Sequence, residues 1–515
     1  MNNPFKTSSA RSLLLLLGTG GWLYCTAFAL PGTPIFQGDC SPIFLHEAVR
    51  MLHGEVIYKD FFELLLPGTQ FFYLGLFKLI GVRSWIPDMM LIFLGTGLAW
   101  TLVALAKPVL EGKLVYLPSV LFLGFAFTTE PDAAHHWYST LVVLVALVVI
   151  IEERSWKRLA VAGALAGVAT LFTQTRGPAA ILGITLFLFW ERCQKGQSWL
   201  HLIRAQASLW LPFLVTTLTA IACLIEKAGF HQLFYCTVTF LFKYYPLWYW
   251  NMPRVYLTEV PSVPWPLELP AVGVWLSVHM LLPLVYLLFL VRWWQAARIH
   301  PGEPWDRLML LALVGLCLFL SISTSPSWLR LCSVSPPALV LLAWLVRSSG
   351  GVCAVLRRLL WGVSAALMVA QPTMAQTGWR ADLRTPIGRE AFLDPEVYGK
   401  FRWVAKHTRP GDFFYQASDC NLYYLLDVRN PTQVPFLTAS GYTPPGQVQD
   451  VVAGLERSRP RYVLWSVWLD VPDPRYFATF YGARLSPVRD YLRTHYHLVW
   501  NFGEPDYEQV WERNR

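Results

Sequence analysis

Long apolar runs, separated by short polar or basic segments, fill the chain from its start to about residue 380. Apolar runs that predict helices lie at residues 12–30, 85–106, 114–128, 139–151, 158–174, 177–191, 208–225, 270–291, 307–324, 331–347 and 358–375. A helix needs about 20 apolar residues to cross a bilayer, and fewer where the membrane is thin. The pattern therefore predicts a polytopic α-helical membrane domain over residues 1–380, with about eleven transmembrane helices. A re-entrant segment is the alternative to two short helices at 158–191, because the polar residues "TQTRG" interrupt the run.

The last part of the chain has the pattern of a soluble domain. "PEVYGKFRWVAKHT" and "GQVQDVVAGLERS" have helical periodicity, whereas "FFYQA" and "RYVLWSV" are short strand-like runs. "HLVWNFG" and "YEQVWER" flank "EPD" and predict a terminal hairpin. Residues 381–515 are therefore predicted to form a C-terminal α/β domain.

Composition and charge narrow the class of protein. The 515 residues are 55% hydrophobic and 15% charged, whereas soluble domains carry about 25% charged residues. The net charge of +9 would suit a nucleic-acid partner, but the Lys and Arg residues lie mostly between the apolar runs, where orientation signals belong. The sequence therefore indicates an integral membrane protein and no nucleic-acid partner.

The basic clusters also predict which loops face the cytoplasm. Lys6 precedes the first run, and the clusters around Arg154, Arg192 and Arg347 fall on the same side as that N-terminus. The first run is long and no small-residue cleavage site follows it, so it is predicted to be a retained helix rather than a signal peptide. This places the N-terminus in the cytoplasm. The first external loop, at 31–84, and the C-terminal domain are then periplasmic or extracellular.

The stretch "FQGDCSPIFLHEAVRMLHGEVIYKDFFELLLPG" (36–68) concentrates charge directly after the first run. Ser41 and Pro42 are a favourable helix start and Gly54 a favourable stop. The charged or titratable side chains of this helix share one arc and are predicted to face solvent from an amphipathic helix on the membrane surface. They are His46, Glu47, Arg50 and His53.

Three carboxylates at the two ends of this stretch are candidates for chemistry. Asp39 lies where the first helix leaves the membrane, and a carboxylate there is costly unless it is paired or used. Asp60 and Glu63 precede the Pro67–Gly68 turn. A capping or ion-pair role is the structural alternative for Asp39.

Several segments together resemble the GT-C glycosyltransferases, and more narrowly the protein O-mannosyltransferase-like branch that includes the bacterial lipid A aminoarabinose transferase. They are the first helix with its early acidic loop and "HGEVIYKDFFE", then "LAVAGALAGVATLFTQTRGPAAIL", "SWLRLCSVSPPALVLLAWL", and the tail with "LYYLLDVRNPTQ" and "LERSRPRYVLW". The resemblance implies transfer of a hexose or pentose from a polyprenyl-phosphate carrier to an acceptor on the external face of the membrane, usually with inversion. It also implies that the protein lies in the inner membrane of a bacterium. It matches Asp39 to the first-loop acidic residue, a general base, and matches Asp60 or Glu63 only roughly to a second acidic position.

The remaining candidates suit the donor and the acceptor of such a reaction. Arg176 and Arg330 lie at or in apolar runs, where arginine is costly, and arginine binds phosphate oxygens in pairs. Snorkelling towards the headgroups is the alternative for Arg176. Lys243 lies in the aromatic segment "FKYYPLWYWNMPR", which predicts either a grip on a polyprenyl chain or simple membrane anchoring.

The external loop "TTEPDAAHHWYS" supplies further candidates. Its residues Asp132, His136 and Trp137 are predicted to contact substrate, although solvation is the usual state of such a loop. Adjacent His residues seldom reach one ion, and no Cys or His spacing is typical of a metal site, so no metal or other cofactor is indicated.

Three other functions fit a polytopic membrane protein with this tail. A lipid or polysaccharide transporter or flippase would more often show internal repeats with paired broken helices. An O-antigen polymerase or ligase would carry its main loop between late helices. A noncatalytic assembly protein would leave the early acidic loop without a purpose. The sugar and the acceptor, whether lipid, glycan or protein, stay open.

Overall fold

The computed structural model describes residues 9–38, 41–128, 131–252, 268–348, 350–471, 481–503 and 507–515. The α-helices in these residues are, in chain order, α1 (Ser9–Ala27), α2 (Ser41–Leu52), α3 (Gly68–Ile80), α4 (Ile86–Ala106), α5 (Leu117–Leu121), α6 (His135–Ile151), α7 (Trp156–Phe172), α8 (Arg176–Lys195), α9 (Trp199–Ala228), α10 (Phe230–Phe234), α11 (Phe240–Lys243), α12 (Glu268–Ala296), α13 (Trp305–Leu320), α14 (Trp328–Val334), α15 (Pro336–Leu345), α16 (Gly351–Thr377), α17 (Pro395–His407), α18 (Asn421–Leu426), α19 (Pro445–Ser458) and α20 (Ser486–His495).

Shorter helical turns and strands complete the structure. The 3₁₀ turns are Gly112–Tyr116, Tyr245–Leu247, Tyr249–Asn251, Val467–Leu469 and Gly482–Leu485, and Phe122–Phe127 and Tyr235–Thr239 are π-helical. The strands are β1 (Phe28–Ala29), β2 (Thr33–Pro34), β3 (Ala381–Thr385), β4 (Gly388–Phe392), β5 (Phe414–Gln416), β6 (Tyr462–Ser466), β7 (Tyr496–Phe502) and β8 (Glu508–Arg513).

A helix overlaps every apolar run that the sequence singled out. In the described part of the chain, four helices are long and apolar enough to cross a membrane: α4, α9, the part of α12 from His279 to Ala296, and α16. The pair α14 and α15, bent by 65°, is a fifth if it counts as one broken span. The crossing of all eleven predicted helices stays a prediction.

The ambiguous stretch at 158–191 consists of two full helices, α7 with 17 residues and α8 with 20. Glycine allows α7 to approach its neighbours closely. A Cβ added at Gly163 would lie 2.0 Å from the carbonyl oxygen of Leu209 in α9, and one at Gly177 in α8 would lie 2.0 Å from Oγ1 of Thr170 in α7. Small residues at helix contacts are the usual way to pack helices within a bilayer.

The chain divides into two compact units, which are described separately. The helical unit comprises residues from 1–26, 90–221 and 253–374, and the mixed unit comprises residues from 27–89, 222–252 and 375–515. The predicted first external loop, at 31–84, therefore belongs to the same unit as the C-terminal segment.

A four-stranded sheet in the order β5-β6-β8-β7 forms the centre of the mixed unit. β5 pairs with β6 in parallel and the other pairs are antiparallel, so β7 and β8 form the predicted terminal hairpin. Val463 and Trp465 of β6 pack with Val451 of α19 and Val488 of α20 in a buried apolar core. The helices and strands predicted for the tail are present at these positions, except that residues 472–480 lie outside the described part.

Candidate functional site

A pair of buried carboxyl groups lies at the centre of the charged stretch. Glu47 of α2 is 2% exposed, and Glu63, in the loop before α3, is 5% exposed. The side-chain nitrogen of Gln70 in α3 donates hydrogen bonds to both: 2.7 Å to Glu47 Oε2 and 3.1 Å to Glu63 Oε2. We call these three residues the acid cluster. The amide of Gln70 thus bridges two carboxyl groups that are shielded from water.

The two acids of the acid cluster differ in how their charge is stabilised. Glu63 Oε1 accepts hydrogen bonds from the backbone N–H groups of Leu64, at 2.6 Å, and Leu65, at 2.8 Å. Burial raises the pKa of Glu63, and these hydrogen bonds oppose the rise. Burial raises the pKa of Glu47 well above its ordinary range, and the neighbouring Glu63 raises it further. Burial and the neighbouring Glu63 therefore favour the protonated form of Glu47, whereas the backbone hydrogen bonds favour the ionised form of Glu63.

Glu47→Gln is expected to leave stability near that of the wild type at pH 5 and to increase it relative to the wild type as pH rises to 9. The folded-state pKa of Glu47 lies above its ordinary value of 4.5. Its stabilising contribution is therefore complete below 4.5 and is lost as pH rises through the folded-state pKa, because the buried group must then ionise. An amide mimics the protonated acid and does not titrate. The apparent melting temperature of the purified full chain, followed by tryptophan fluorescence at each pH, measures the difference.

Glu456→Gln is the matched control for this series, because Glu456 is exposed on α19. Its difference from the wild type should not grow with pH. A Glu47→Gln difference that stays constant from pH 5 to 9 would mean that Glu47 does not hold the proton.

The helix α2 corrects one sequence-based expectation. The polar arc predicted to face solvent is largely buried: His46 is 5% exposed and Arg50 is 9% exposed, and among the four residues of that arc only His53 is exposed. The ring of His46 stacks on Tyr423 at 4.5 Å, and Arg50 donates a 3.1 Å hydrogen bond to the carbonyl oxygen of Thr432. The prediction was wrong because residues far along the chain cover this arc within the mixed unit.

Asp60 stabilises the loop that leads to Glu63. Its Oδ2 accepts a 2.7 Å hydrogen bond from the backbone N–H of Val56, and its carbonyl oxygen accepts one from Arg50 at 3.3 Å. Arg50 also pairs with Glu55 and lies 4.7 Å from the centre of the Phe61 ring. The structure thus gives Asp60 a turn-stabilising role, whereas Glu63 belongs to the acid cluster.

Asp39 lies outside the described residues, but the chain on both sides of it is held in the mixed unit. The backbone N–H of Phe36 donates a 2.8 Å hydrogen bond to the carbonyl oxygen of Ala391, and its ring packs against Phe392 and Phe401. Ser41 then begins α2. The predicted role of Asp39 stays a prediction.

A second group of candidates lies in the helical unit. Arg176, the first residue of α8, is 1% exposed, and its Nη2 donates a 2.5 Å hydrogen bond to Ser333 Oγ in α14. The same hydroxyl donates to the carbonyl oxygen of Arg330 at 2.8 Å, and the two arginines interact electrostatically. We call Arg176, Arg330 and Ser333 the arginine cluster.

Arg176 is incompletely satisfied. Its Nε and Nη1 atoms are buried and have no hydrogen-bond partner in the described part of the chain, and no described carboxylate forms an ion pair with it. The cavity beside it has a volume of only about 10 Å³, enough for roughly one water molecule. Arg330 is partly exposed. Arg330 can therefore contact a ligand, whereas Arg176 is buried and only adds positive charge near Arg330.

The "TTEPDAAHHWYS" segment is not a solvated loop in its described part. His135 and His136 begin α6 and each is 8% exposed, and Asp132 is 2% exposed. His135 Nδ1 lies 2.9 Å from Thr173 Oγ1, whereas the Nδ1 of His136 is buried without a hydrogen-bond partner in the described residues. The prediction of a loop failed because the polar residues fall on the first turn of an apolar helix, where neighbouring helices cover them.

Thr140 links this segment to the arginine cluster. Its hydroxyl oxygen lies 2.8 Å from the carbonyl oxygens of both His136 and Ser333, which share its single O–H donor. Trp137 is fully buried between Phe122 and Phe127, with ring centres 5.6 and 5.1 Å apart. His136 therefore lies next to the arginine cluster, and Trp137 packs in the core.

Lys243 belongs to the mixed unit and is exposed at the end of α11, where its ammonium group lies 5.2 Å from the centre of the Tyr244 ring. This arrangement fits membrane anchoring as well as lipid contact. Within the described residues, no group of three His, Cys, Asp or Glu side chains is arranged to hold a metal ion.

Sequence reasoning missed Glu47 and Gln70 as functional candidates. Gln70 was visible in principle, because it is a lone amide in the apolar run "LLLPGTQFFYLGLFKLIG". A buried polar side chain requires a hydrogen-bond partner, and the two acids of the stretch were available. Glu47 was hidden, because its position on the polar arc of α2 suggested solvent.

Comparison with known proteins identifies the fold. The chain is similar to the crystal structure of ArnT from Cupriavidus metallidurans bound to undecaprenyl phosphate, with a TM-score of 0.59, 13% identity and 98% of each chain covered. The apo structure of the same ArnT matches with a TM-score of 0.58, the same identity and the same coverage. No protein-family model and no curated protein sequence matches this chain. The fold predicted from the resemblance to GT-C glycosyltransferases is confirmed.

Proposed function

We propose that this chain is an integral-membrane glycosyltransferase that moves a sugar from a polyprenyl-phosphate donor to an acceptor on the external face of the membrane. The fold, shared with ArnT over 98% of the chain, is compatible with this activity. One observation carries the proposal: Arg176 is buried with two unpartnered guanidinium nitrogens, and Arg330 lies near it. An uncompensated positive charge in a dry site is costly and is typical of a site that binds an anion.

The donor phosphate is the anion that this reaction supplies. Arg330, which is partly exposed, holds the phosphate oxygens, and Arg176 strengthens the positive potential from its buried position. The neighbour ArnT was crystallised with undecaprenyl phosphate, a ligand of this class. Lys243 is assigned a weaker part in holding the lipid.

The reaction itself is a single displacement at the anomeric carbon. An acceptor oxygen attacks that carbon, the bond from carbon to the phosphate oxygen breaks with its electrons going to the phosphate, and the acceptor proton goes to a carboxylate. One displacement inverts the configuration. Asp39 is the proposed base, and a carboxylate in hydrogen-bond reach is chemically competent for this step. Glu63 is the alternative base, since two backbone hydrogen bonds favour its ionised form.

The other candidates have supporting parts. His136 and Asp132 are proposed to lie along the path of the substrate, and Trp137 positions them by packing in the core. Asp60 holds the loop that carries Glu63. The orientation predicted from the basic loops, with a cytoplasmic N-terminus and an external C-terminal segment, places Asp39 on the external face. Acceptors of lipid, glycan or protein chemistry are all compatible with these residues.

Mass spectrometry of lipids that copurify with the full chain tests the proposal most directly. We expect a polyprenyl phosphate, bare or glycosylated, to be retained by the wild-type protein. Arg330→Gln should retain several-fold less of it, because charge-assisted hydrogen bonds to phosphate are the strong ones.

Arg204→Gln is the control, since Arg204 is exposed on α9. Equal retention of polyprenyl phosphate by both variants would remove the arginine cluster from donor binding. Complete absence of polyprenyl phosphate, together with no transfer from a supplied polyprenyl-phosphate sugar, would favour the transporter alternative.

A further inference from the structure

A second polar cavity lies in the helical unit, apart from the arginine cluster. It has a volume of about 320 Å³ and is open on one side. It is formed where α7 begins, α8 ends and α9 begins. The residues that line it are Glu153, Arg154, Ser155, Leu188, Glu191, Lys195, Gln197, His201, Leu202 and Ala205.

The inner wall of this cavity is formed by an ion-pair network in which each charged group has a partner. Arg154 Nη2 lies 3.0 Å from Glu191 Oε1 and 2.6 Å from Asp306 Oδ2, and its Nη1 donates to the carbonyl oxygen of Ile151 at 3.0 Å. Glu191 also accepts a 2.7 Å hydrogen bond from Lys195. The two acids and Arg154 therefore need no ligand and give the wall a fixed shape.

The outer wall has donors that the protein does not use. Lys195 has a half-exposed side chain whose partner in the described residues is Glu191 alone, which leaves two of its three N–H bonds for a ligand. The hydroxyl of Ser155 precedes α7 without capping it and makes no hydrogen bond within the described part of the chain. His201 is exposed at the start of α9. These groups suit an anion with several acceptor oxygens.

The surroundings of the cavity have a positive charge balance and an apolar rim. Segments 152–158, 191–204 and 306–307 hold seven basic and four acidic side chains. Trp156, Trp199 and Ile203 expose 66%, 58% and 61% of their surfaces. Tryptophan beside basic residues at the end of a long apolar helix is typical of the membrane–water interface. A ligand with an anionic head group and apolar chains therefore fits both the basic cavity and its apolar rim.

We propose that this cavity binds the phosphate group of an anionic phospholipid, with Lys195 and Ser155 as its principal contacts. The apolar rim takes the first part of the acyl chains, and the ion-pair network behind Lys195 orients its ammonium group. The site binds a structural lipid and plays no part in sugar transfer, so it does not depend on the proposed function.

Native mass spectrometry of the full chain, released from nanodiscs of phosphatidylglycerol mixed with phosphatidylcholine, tests this site. The wild type should retain one phosphatidylglycerol in preference to phosphatidylcholine. Lys195→Ala should weaken retention about five- to tenfold, as expected for loss of one basic contact to an anionic lipid. Lys195→Arg should restore it. The Arg154–Glu191 pair stays intact in both variants, so folding is not at risk.

Lys227→Ala is the matched control, because Lys227 is an exposed lysine on α9 outside the cavity. It should retain lipid like the wild type, and equal losses in Lys195→Ala and Lys227→Ala would overturn the proposal. Equal retention of phosphatidylcholine would remove the preference for anionic lipid. Thermal stabilisation by inorganic phosphate as large as that by phosphatidylglycerol, and lost in Lys195→Ala, would assign the site to free phosphate and overturn the lipid assignment.

Discussion

Arg176→Gln is expected to reduce sugar transfer about a hundredfold while leaving the apparent melting temperature unchanged or higher. A charge near a phosphate at an effective dielectric of about 20 is worth roughly 2–3 kcal/mol, and that amount corresponds to the hundredfold loss. When no donor phosphate is bound, the charge of Arg176 has no ion-pair partner among the described residues. Removing that charge therefore relieves the free-energy cost of burying it. Glutamine keeps an amide donor for Ser333, which replaces the one hydrogen bond that the side chain of Arg176 makes to a described residue.

Arg154→Gln supplies the contrast within the same unit. Arg154 is also largely covered, with 11% of its side chain exposed, but it is paired with Glu191 and Asp306. Its removal leaves Asp306 without this partner and leaves Glu191 with Lys195 alone, and the loss of one partner of a largely buried ion pair destabilises the fold. We therefore expect Arg154→Gln to lower the melting temperature, and Arg176→Gln to lower activity instead. A parallel fall in stability and activity in Arg176→Gln would show that Arg176 only supports the fold.

Asp39→Asn is expected to reduce transfer about a thousandfold, within the 10²–10⁴ range of general acid–base catalysis, while expression and stability stay at wild-type levels. Asparagine keeps the shape of the side chain and removes its capacity to accept a proton. The donor should still bind, so retention of polyprenyl phosphate should not change. Initial rates with a supplied polyprenyl-phosphate sugar, measured alongside bound lipid, separate the two effects.

Asp60→Asn and Glu63→Gln identify which carboxylate acts. Asp60 stabilises a turn by accepting a hydrogen bond from Val56. We therefore expect Asp60→Asn to lower the rate of sugar transfer less than about tenfold. Glu63→Gln removes the charge of the acid cluster and is expected to lower the rate without reaching the loss seen in Asp39→Asn. Full activity in Asp39→Asn, with a thousandfold loss in Glu63→Gln, would transfer the role of base to Glu63.

The positions of the helices and of their ends show what the local sequence pattern could predict. Ser41-Pro42 predicted the start of α2, and α2 begins at Ser41. The apolar runs predicted helices that the structure contains, because a run of apolar side chains cannot be left in water wherever the rest of the chain lies. The sequence left residues 158–191 open between two helices and a re-entrant segment, because the polar residues "TQTRG" interrupt the apolar run.

The burial of the polar residues was not predicted by the local sequence pattern. His46, Glu47 and Arg50 on α2 were expected in solvent, and His135 and His136 on α6 were expected in an external loop, but all five are buried. A single helix shows which residues share an arc, but it does not show what covers that arc. In α2 the cover comes from Thr432 and Tyr423, more than 370 residues later in the chain.

The sequence alone determined the class of protein, the places of its helices, its predicted orientation and the carboxylates and arginines worth testing, because these depend on composition and local periodicity. Only the tertiary structure decided that Glu47 and Glu63 share Gln70, that Asp60 supports a turn, and that Arg176 is buried without a described counter-ion. The reason is physical: the protonation and reactivity of a side chain depend on its desolvation and on its neighbours in space, and distant segments of the chain supply both.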